Sequence, residues 1–325
     1  MKKFLLLLFS TGIIFLVQLL PSKSVLSIEK HKYTIVIHGG AGTISKTLPD
    51  SIKKGYIESL KKALQIGKNI LEKGGTSLDA CESVVIYFEN DEKFNAGKGA
   101  VYTSDGTHEL DASIMNGKDL SSGAVTVVKH VKNPIVLARA VMEKTPHILF
   151  AGEGADKLAE EFHLETVPNS YFDTQKRFKQ WQKYKEEFGE EHGTVGCVAL
   201  DEYGNLAAAT STGGLTGKMP GRVGDSPLIN DGTYANNKTC AVSCTGTGEL
   251  FIKNTIAFNV SALMKYKNFS LKEAADEMIY TRLKPGDGGL IAVDKDGNYI
   301  TPFNTEGMFR GVANSSGLFD VKIWK

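Results

Sequence analysis

The chain has 325 residues, 42% of them hydrophobic, and a formal net charge of +1. That length supports one large core or two modest ones, and so small a charge gives no electrostatic reason to expect nucleic acid or an acidic surface as partner. Glycine is abundant, 34 residues against 9 prolines, and clusters in short loops, which suits an enzyme rich in tight turns better than a disordered chain.

Residues 1–24 stand apart from the rest. Lys2 and Lys3 precede an uncharged, mostly apolar run from Phe4 to Leu20, Pro21 closes it, and Ser22-Lys23-Ser24 supplies a small-x-small cleavage pattern. The segment reads as an export signal and places the protein in a periplasmic or extracellular compartment. An uncleaved anchor is the alternative, because the run approaches bilayer-spanning length. Tyr33 to Ile37 is a β-branched strand leading into a glycine loop, HGGAG. Tyr56, Leu60, Ala63, Leu64, Gly67 and Leu71 then fall on one helical face, which Gly74-Gly75 ends. Thr76 and Asp79 resemble a cap for a second helix with Cys81, Val84, Val85 and Phe88 inward. Leu110 to Met115 and Ala124 to Val131 read as strands, and Pro134 opens a helix through Lys144.

From about Phe172 to Gly193 the composition turns to charge; a surface helix is one reading, and a linker is the one the composition favours. Apolar strand character returns at once. Val198-Ala199-Leu200-Asp201 and Ile291-Ala292-Val293-Asp294 each precede a turn ending Gly-Asn, as hairpins do. Glu249 to Lys265 and Leu271 to Arg282 read as helices. Strands and helices thus come in grouped blocks, an α+β layered arrangement. Of the four cysteines, Cys240 and Cys244 lie about 13 Å apart along a strand, too far for a direct bridge. With no CxxC and scattered histidines, Cys81, Cys197, Cys240 and Cys244 read as buried free thiols rather than zinc ligands.

Thr194 stands between the charged segment and the strand. A threonine hydroxyl needs an adjacent base to act as a nucleophile. A chain cut before Thr194 would free an α-amine of pKa about 7.7–8.0, suited to that role near neutrality, and Gly193 permits close approach to its carbonyl. A β-branched residue opening an ordinary strand is the plainer reading of the threonine alone. Thr210-Ser211-Thr212-Gly213-Gly214 follows the hairpin and could return its hydroxyls beside Thr194. In GRVGDSP, Arg222 and Asp225 could bind the two charged ends of an amino-acid substrate. Thr245-Gly246-Thr247-Gly248 ends a strand before a helix, where hydroxyls and backbone N–H groups can stabilise an oxyanion. Together these supply nucleophile, electrophile stabiliser and zwitterion clamp.

The ordered set HGGAG (38–42), FNAGKGAVYT (94–103), LDASIMNGKDLSSGAV (110–125), GTVG (193–196), ATSTGG (209–214), GRVGDSP (221–227), CTGTGE (244–249) and PFNTEGM (302–308) resembles the plant-type asparaginase and isoaspartyl-peptidase family of N-terminal-nucleophile hydrolases, over nearly all of residues 33–311. The resemblance implies a four-layer αββα sandwich built from one α chain ending at Gly193 and one β chain, residues 194–325, with self-cleavage between Gly193 and Thr194. It implies Thr194 as nucleophile, Thr212 as its orienting group, Thr245 and Gly246 as oxyanion holders, and Asn95 as support beside them. Arg222 would bind the substrate α-carboxylate, and Asp225 with the Gly248 carbonyl its α-ammonium. The main-chain carbonyls of Phe88, Glu89, Asp91, Phe94, Ala96 and Lys98 resemble a loop wrapping a structural sodium; no catalytic cofactor is implied. The assembly implied is a dimer of cleaved αβ units, a heterotetramer, acting on L-asparagine or β-aspartyl dipeptides.

Three other readings compete. A glycosylasparaginase would use the same Arg222 and Asp225 clamp, but that branch carries Asp directly before its threonine, where this chain has Gly193; His192 receives no role. A nucleotide-binding reading of YTIVIHGGAGTISK fails because Ser45 stands where GxGxxG needs its third glycine. An exported binding protein without turnover would have no need to keep Thr194, Thr212 and Thr245 together.

Overall fold

The computed structural model describes residues 33–187 and 193–325. The export-signal expectation for residues 1–24 therefore lies outside the described residues. In chain order the elements are β1 (Thr34–Gly42), α1 (Asp50–Glu72), α2 (Ser77–Glu89), β2 (Leu110–Asn116), β3 (Ser122–Val128), α3 (Pro134–Lys144), β4 (Leu149–Ala151), α4 (Gly152–Glu161) and α5 (Gln175–Glu187). After the segment 188–192 come β5 (Val195–Leu200), β6 (Leu206–Thr212), β7 (Thr233–Ala235), β8 (Cys240–Gly246), α6 (Gly248–Asn254), α7 (Ile256–Lys267), α8 (Leu271–Asp276), β9 (Gly288–Asp294), β10 (Tyr299–Ile300), β11 (Gly307–Asn314) and β12 (Phe319–Lys322).

The strands form two sheets. One has eight strands in the order β12-β11-β1-β5-β6-β2-β3-β4, and the other four in the order β10-β9-β8-β7. Side-chain alternation along each strand splits the core into layers. Ile35, Ile37, Cys197, Ala199, Ala207 and Ala209 pack with Leu60, Leu64, Val84 and Val85 of α1 and α2. Their neighbours Val36, Val198, Leu206 and Ala208 face the other way, into a cluster with Val242 and Ala292 of the small sheet. Val260 of α7 and Ala274 of α8 extend that cluster on the far side. The result is helices, sheet, sheet, helices: the αββα sandwich.

Local signals account for many of the boundaries. The Thr76 hydroxyl accepts the Asp79 amide and caps α2, and Pro134 opens α3 at its first turn. Ser270 and Glu273 form a reciprocal capping box at the start of α8. Three expectations need correction. HGGAG is not a loop after β1 but the strand's own end, with pairing to β11 slipping between His38 and Ala41 where Gly40 takes a φ of +109°. The helix expected over 249–265 breaks at Thr255, whose left-handed φ of 44° separates α6 from α7.

The third correction concerns the charged segment. Residues 175–187 are a helix docked on the body, not a linker. Arg177, Trp181 and Tyr184 recur at helical spacing on its inward side. Arg177 Nε donates to Gly99 O at 2.6 Å, and the Trp181 ring stacks on Tyr102 with centroids 5.4 Å apart. The Tyr184 ring fills the space beside Gly217. The lysines between them, Lys179 and Lys183, are exposed.

Among the described residues, no helix is long and apolar enough to cross a membrane. The four cysteines are buried and unbridged, as the spacing argument anticipates for Cys240 and Cys244.

Candidate active site

Strand register assembles the site. β5 and β6 are antiparallel with Val195 opposite Ser211, so Thr194, one residue before β5, lies opposite Thr212. Period-two alternation turns both side chains into the layer between the sheets. Thr194 Oγ1 donates to Thr212 Oγ1 at 3.3 Å, and Thr212 Oγ1 donates to Gly193 O at 3.0 Å. Gly214 N in turn donates to Thr212 Oγ1 at 2.9 Å, fixing that hydroxyl.

Asn95 approaches the same carbonyl from the FNAG loop. Its Oδ1 accepts the Val101 amide at 3.0 Å, which orients the side chain. Its Nδ2 then donates to Gly193 O and Gly214 O, each at 2.7 Å. The Gly193 carbonyl thus carries two donors within hydrogen-bond distance. Gly40 completes the enclosure: a Cβ there would sit 3.2 Å from Gly193 Cα and 3.3 Å from Thr194 N, so the main chain of β1 closes directly over this peptide bond.

Thr194, Thr212, Arg222, Asp225, Gly246 and Gly248 line one pocket. Asp225 is buried, and its Oδ2 has no hydrogen-bond partner. Burial pushes its carboxyl up to about 7, against the downward pull of the Arg222 guanidinium. Arg222 is engaged rather than open: Nε and Nη2 donate to the two carboxylate oxygens of Glu249 at 2.8 and 2.7 Å. Thr245 lies deeper, fully buried, with its Oγ1 accepting the Ala41 amide at 3.1 Å and its own proton not spent on that bond.

The proposed sodium-loop residues sit together where α2 ends. Phe88 and Glu89 close the helix, and Asp91, Phe94, Ala96 and Lys98 follow in a curl. Cβ atoms on Gly97 and Gly99 would overlap Glu89 O and Phe94 O, so the curl closes tightly on its own carbonyls. Asp91 O and Ala96 O each accept one turn hydrogen bond, which leaves each a second lone pair.

Three side chains beside the site were not singled out by the sequence reading. Glu249 belongs to the quoted CTGTGE motif, but nothing in its spacing announces a partner for Arg222. The Glu89 carboxyl is fully buried and accepts from Ser211 Oγ at 2.7 Å and Ile135 N at 3.1 Å; burial pushes it up to about 8. His38, at the head of HGGAG, is fully buried with Nδ1 3.0 Å from Thr194 O, and burial lowers its imidazole to about 3, so it is neutral.

Comparison with known proteins identifies the family. The asparaginase family model, Asparaginase_2, matches residues 31–323. An isoaspartyl peptidase of Salmonella typhimurium is 47% identical over 296 residues, covering 86% of this chain and 95% of that protein. A putative isoaspartyl peptidase/L-asparaginase of Dictyostelium discoideum is 46% identical, covering 86% and 93%. The isoaspartyl peptidase/L-asparaginase of Mus musculus is 44% identical, covering 84% and 86%. The chain therefore belongs to the asparaginase family of hydrolases.

Proposed function

We propose that the chain is a self-processing amidohydrolase of β-aspartyl dipeptides and L-asparagine, with Thr194 as its N-terminal nucleophile. The observation that carries this reading is the Thr194–Thr212–Gly193 arrangement, in which one hydroxyl accepts from the nucleophile and donates to the carbonyl it would attack. Attack of Thr194 Oγ1 on the Gly193 carbonyl carbon forms a C–O bond while negative charge moves to an oxygen already facing Asn95 and Thr212. The Gly193–Thr194 C–N bond then breaks, the nitrogen takes a proton, and an ester remains. Water hydrolyses it to a Gly193 carboxylate and a free Thr194 amine and hydroxyl.

In the mature enzyme that amine serves as the general base for Thr194 Oγ1. The hydroxyl attacks the substrate side-chain carbonyl, expelling ammonia from asparagine or an amine from an isoaspartyl peptide, and water releases aspartate from the ester. Thr245 and Gly246 hold the oxyanion, with Asn95 beside them. Asp225, which lines the pocket with its Oδ2 unpartnered, takes the substrate ammonium with the Gly248 carbonyl, and Arg222 takes the α-carboxylate. The curl at residues 88–98 supports a structural sodium held by main-chain carbonyls, since a hard cation takes oxygen ligands. Cleaved units would assemble as a dimer of αβ units, and the leader-like residues 1–24 favour export and extracytoplasmic substrates.

Hydrolysis of β-Asp-Leu and L-asparagine, compared with that of a glycosylated asparagine, tests the substrate assignment. Release of aspartate from the first two is expected. Turnover of the glycosylated substrate alone would overturn it in favour of a glycosylasparaginase.

A further inference from the structure

A row of polar side chains runs through the apolar layer between the sheets. In the large sheet His38 pairs with Gly196 across β1 and β5, Gly196 with Thr210 across β5 and β6, and Thr210 with Ser113 across β6 and β2. In the small sheet Ser243 pairs with Thr233 across β8 and β7. All five of these polar side chains are fully buried. The positions one step along the same faces hold Val36, Val198 and Ala208, so the layer accepts apolar residues, and burying hydroxyls there costs free energy unless each is bonded.

The bonds run continuously: His38 Nε2 to Ser243 Oγ at 2.9 Å, Ser243 Oγ to Thr210 Oγ1 at 2.7 Å, Thr210 Oγ1 to Thr233 Oγ1 at 2.6 Å, and Thr233 Oγ1 to Ser113 Oγ at 2.8 Å. Their direction is set at one end. His38 is neutral and faces the Thr194 carbonyl with Nδ1, so Nδ1 carries the proton and Nε2 must accept. Ser243 therefore donates to His38, Thr210 to Ser243, and Thr233 to Thr210. Ser113 keeps one proton for two acceptors, Thr233 Oγ1 and Ser226 O, the latter 2.6 Å away and one residue from Asp225. Space for the imidazole–serine pair is made by Gly196, where a Cβ would overlap both His38 Nε2 and Ser243 Oγ.

We propose that this one-way hydroxyl chain is a positioning device for the nucleophile: His38, ordered by Ser243, Thr210 and Thr233, holds the Thr194 carbonyl and thereby the Oγ1 and amine attached to the same residue. The proposal rests on Thr194 being the nucleophile. The chain's far end borders the pocket, where Ser113 and Thr233 reach the Ser226 carbonyl at 2.6 and 3.4 Å. Ser113 keeps its hold on that carbonyl when Thr233 is changed, so the Thr233 variants act through His38 on the chemical step.

Thr233 offers the cleanest test because its hydroxyl and its methyl can be removed separately. With β-Asp-Leu as substrate, Thr233→Val is expected to lower kcat about fivefold with KM unchanged, and Ser243→Ala about tenfold, since small misplacements of a reacting group are costly. Thr233→Ser, which keeps the hydroxyl and loses only the methyl, is expected to retain wild-type kcat. In the Ser243→Ala background, Thr233→Val is expected to add nothing, because its effect passes through Ser243. Equal kcat for Thr233→Val and Thr233→Ser, a change in KM instead of kcat, or undiminished loss in the double variant would each overturn the chain. Should Ser243→Ala fail to fold, the two Thr233 variants decide alone. Wild-type protein that does not hydrolyse β-Asp-Leu would sink the functional reading and this inference with it; active wild type matched by Thr233→Val would sink the inference only.

Discussion

Asn95 Nδ2 lies 2.7 Å from the carbonyl oxygen of Gly193 and 2.7 Å from that of Gly214, so both amide hydrogens are spent on main-chain oxygens. Thr212 Oγ1 is the second donor to the Gly193 carbonyl, which on the proposed self-cleavage is the oxygen that takes up negative charge. Removing one such donor in comparable sites costs about 10²–10³-fold in rate. Asn95→Ala should therefore slow conversion of the single chain to two chains by about that factor, followed by gel electrophoresis over time. Asn95→Asp should be slower still, because a carboxylate would face two carbonyl oxygens.

On the proposed role of Arg222, its pair with Glu249 opens when a substrate carboxylate reaches the guanidinium. The Glu249 side chain is 48% exposed, and pairs of this kind contribute about 0.2–1 kcal/mol. Glu249→Gln should thus lower KM for β-Asp-Leu by up to about fivefold, less at high salt. Arg222→Lys loses the bidentate fork and should raise KM by about tenfold or more. Steady-state kinetics at two ionic strengths separates the two outcomes.

Asp225 predicts a pH dependence. Burial holds its carboxyl at about 7, with Asp231 and Glu249 adding to the rise and Arg222 opposing it. Only the ionised form can pair with a substrate ammonium, so kcat/KM should rise with pH through about 7. Asp225→Asn should remove that limb and raise KM. For stability the sign is reversed. A carboxyl whose folded pKa is raised contributes stability fully present below its unfolded value of about 3.9 and lost as pH rises through the folded one. Urea unfolding between pH 4 and 8 should accordingly show Asp225→Asn gaining on wild type toward the alkaline end.

Gly196 has no room for a methyl group between His38 and Ser243. Gly196→Ala should cost about 1–3 kcal/mol by overpacking, read as a lower urea midpoint with an unchanged slope. A midpoint equal to wild type would mean that the imidazole and serine move apart freely.

Much of this arrangement was legible in the sequence, and the failures share a physical cause. Register was readable because Val198-Ala199-Leu200 and the turn after it fix a hairpin, and a hairpin fixes which threonines stand opposite each other. The α5 helix was legible only as the lesser alternative, and its docking not at all, because its inward stripe is Arg177, Trp181 and Tyr184 rather than aliphatic, and the lysines around it gave the segment the composition of a linker. HGGAG looked like a loop because glycine usually interrupts strands, whereas here glycine lets β1 pass within van der Waals distance of the Gly193–Thr194 peptide. The hydroxyl chain was invisible for a different reason. Its members come from five strands distant in sequence, and serine or threonine in a strand carries no sign of which hydroxyl it will meet across two sheets.

The central claim is that Thr194 cuts the chain before itself and then acts as the nucleophile. Intact-mass analysis of purified wild type and Thr194→Ala, each paired with a β-Asp-Leu assay, tests it most directly. The account predicts two chains for wild type, the second beginning at Thr194, and a single inactive chain for the variant. A wild-type protein that stays uncleaved yet hydrolyses β-Asp-Leu, or a Thr194→Ala variant that is cleaved or active, would contradict it.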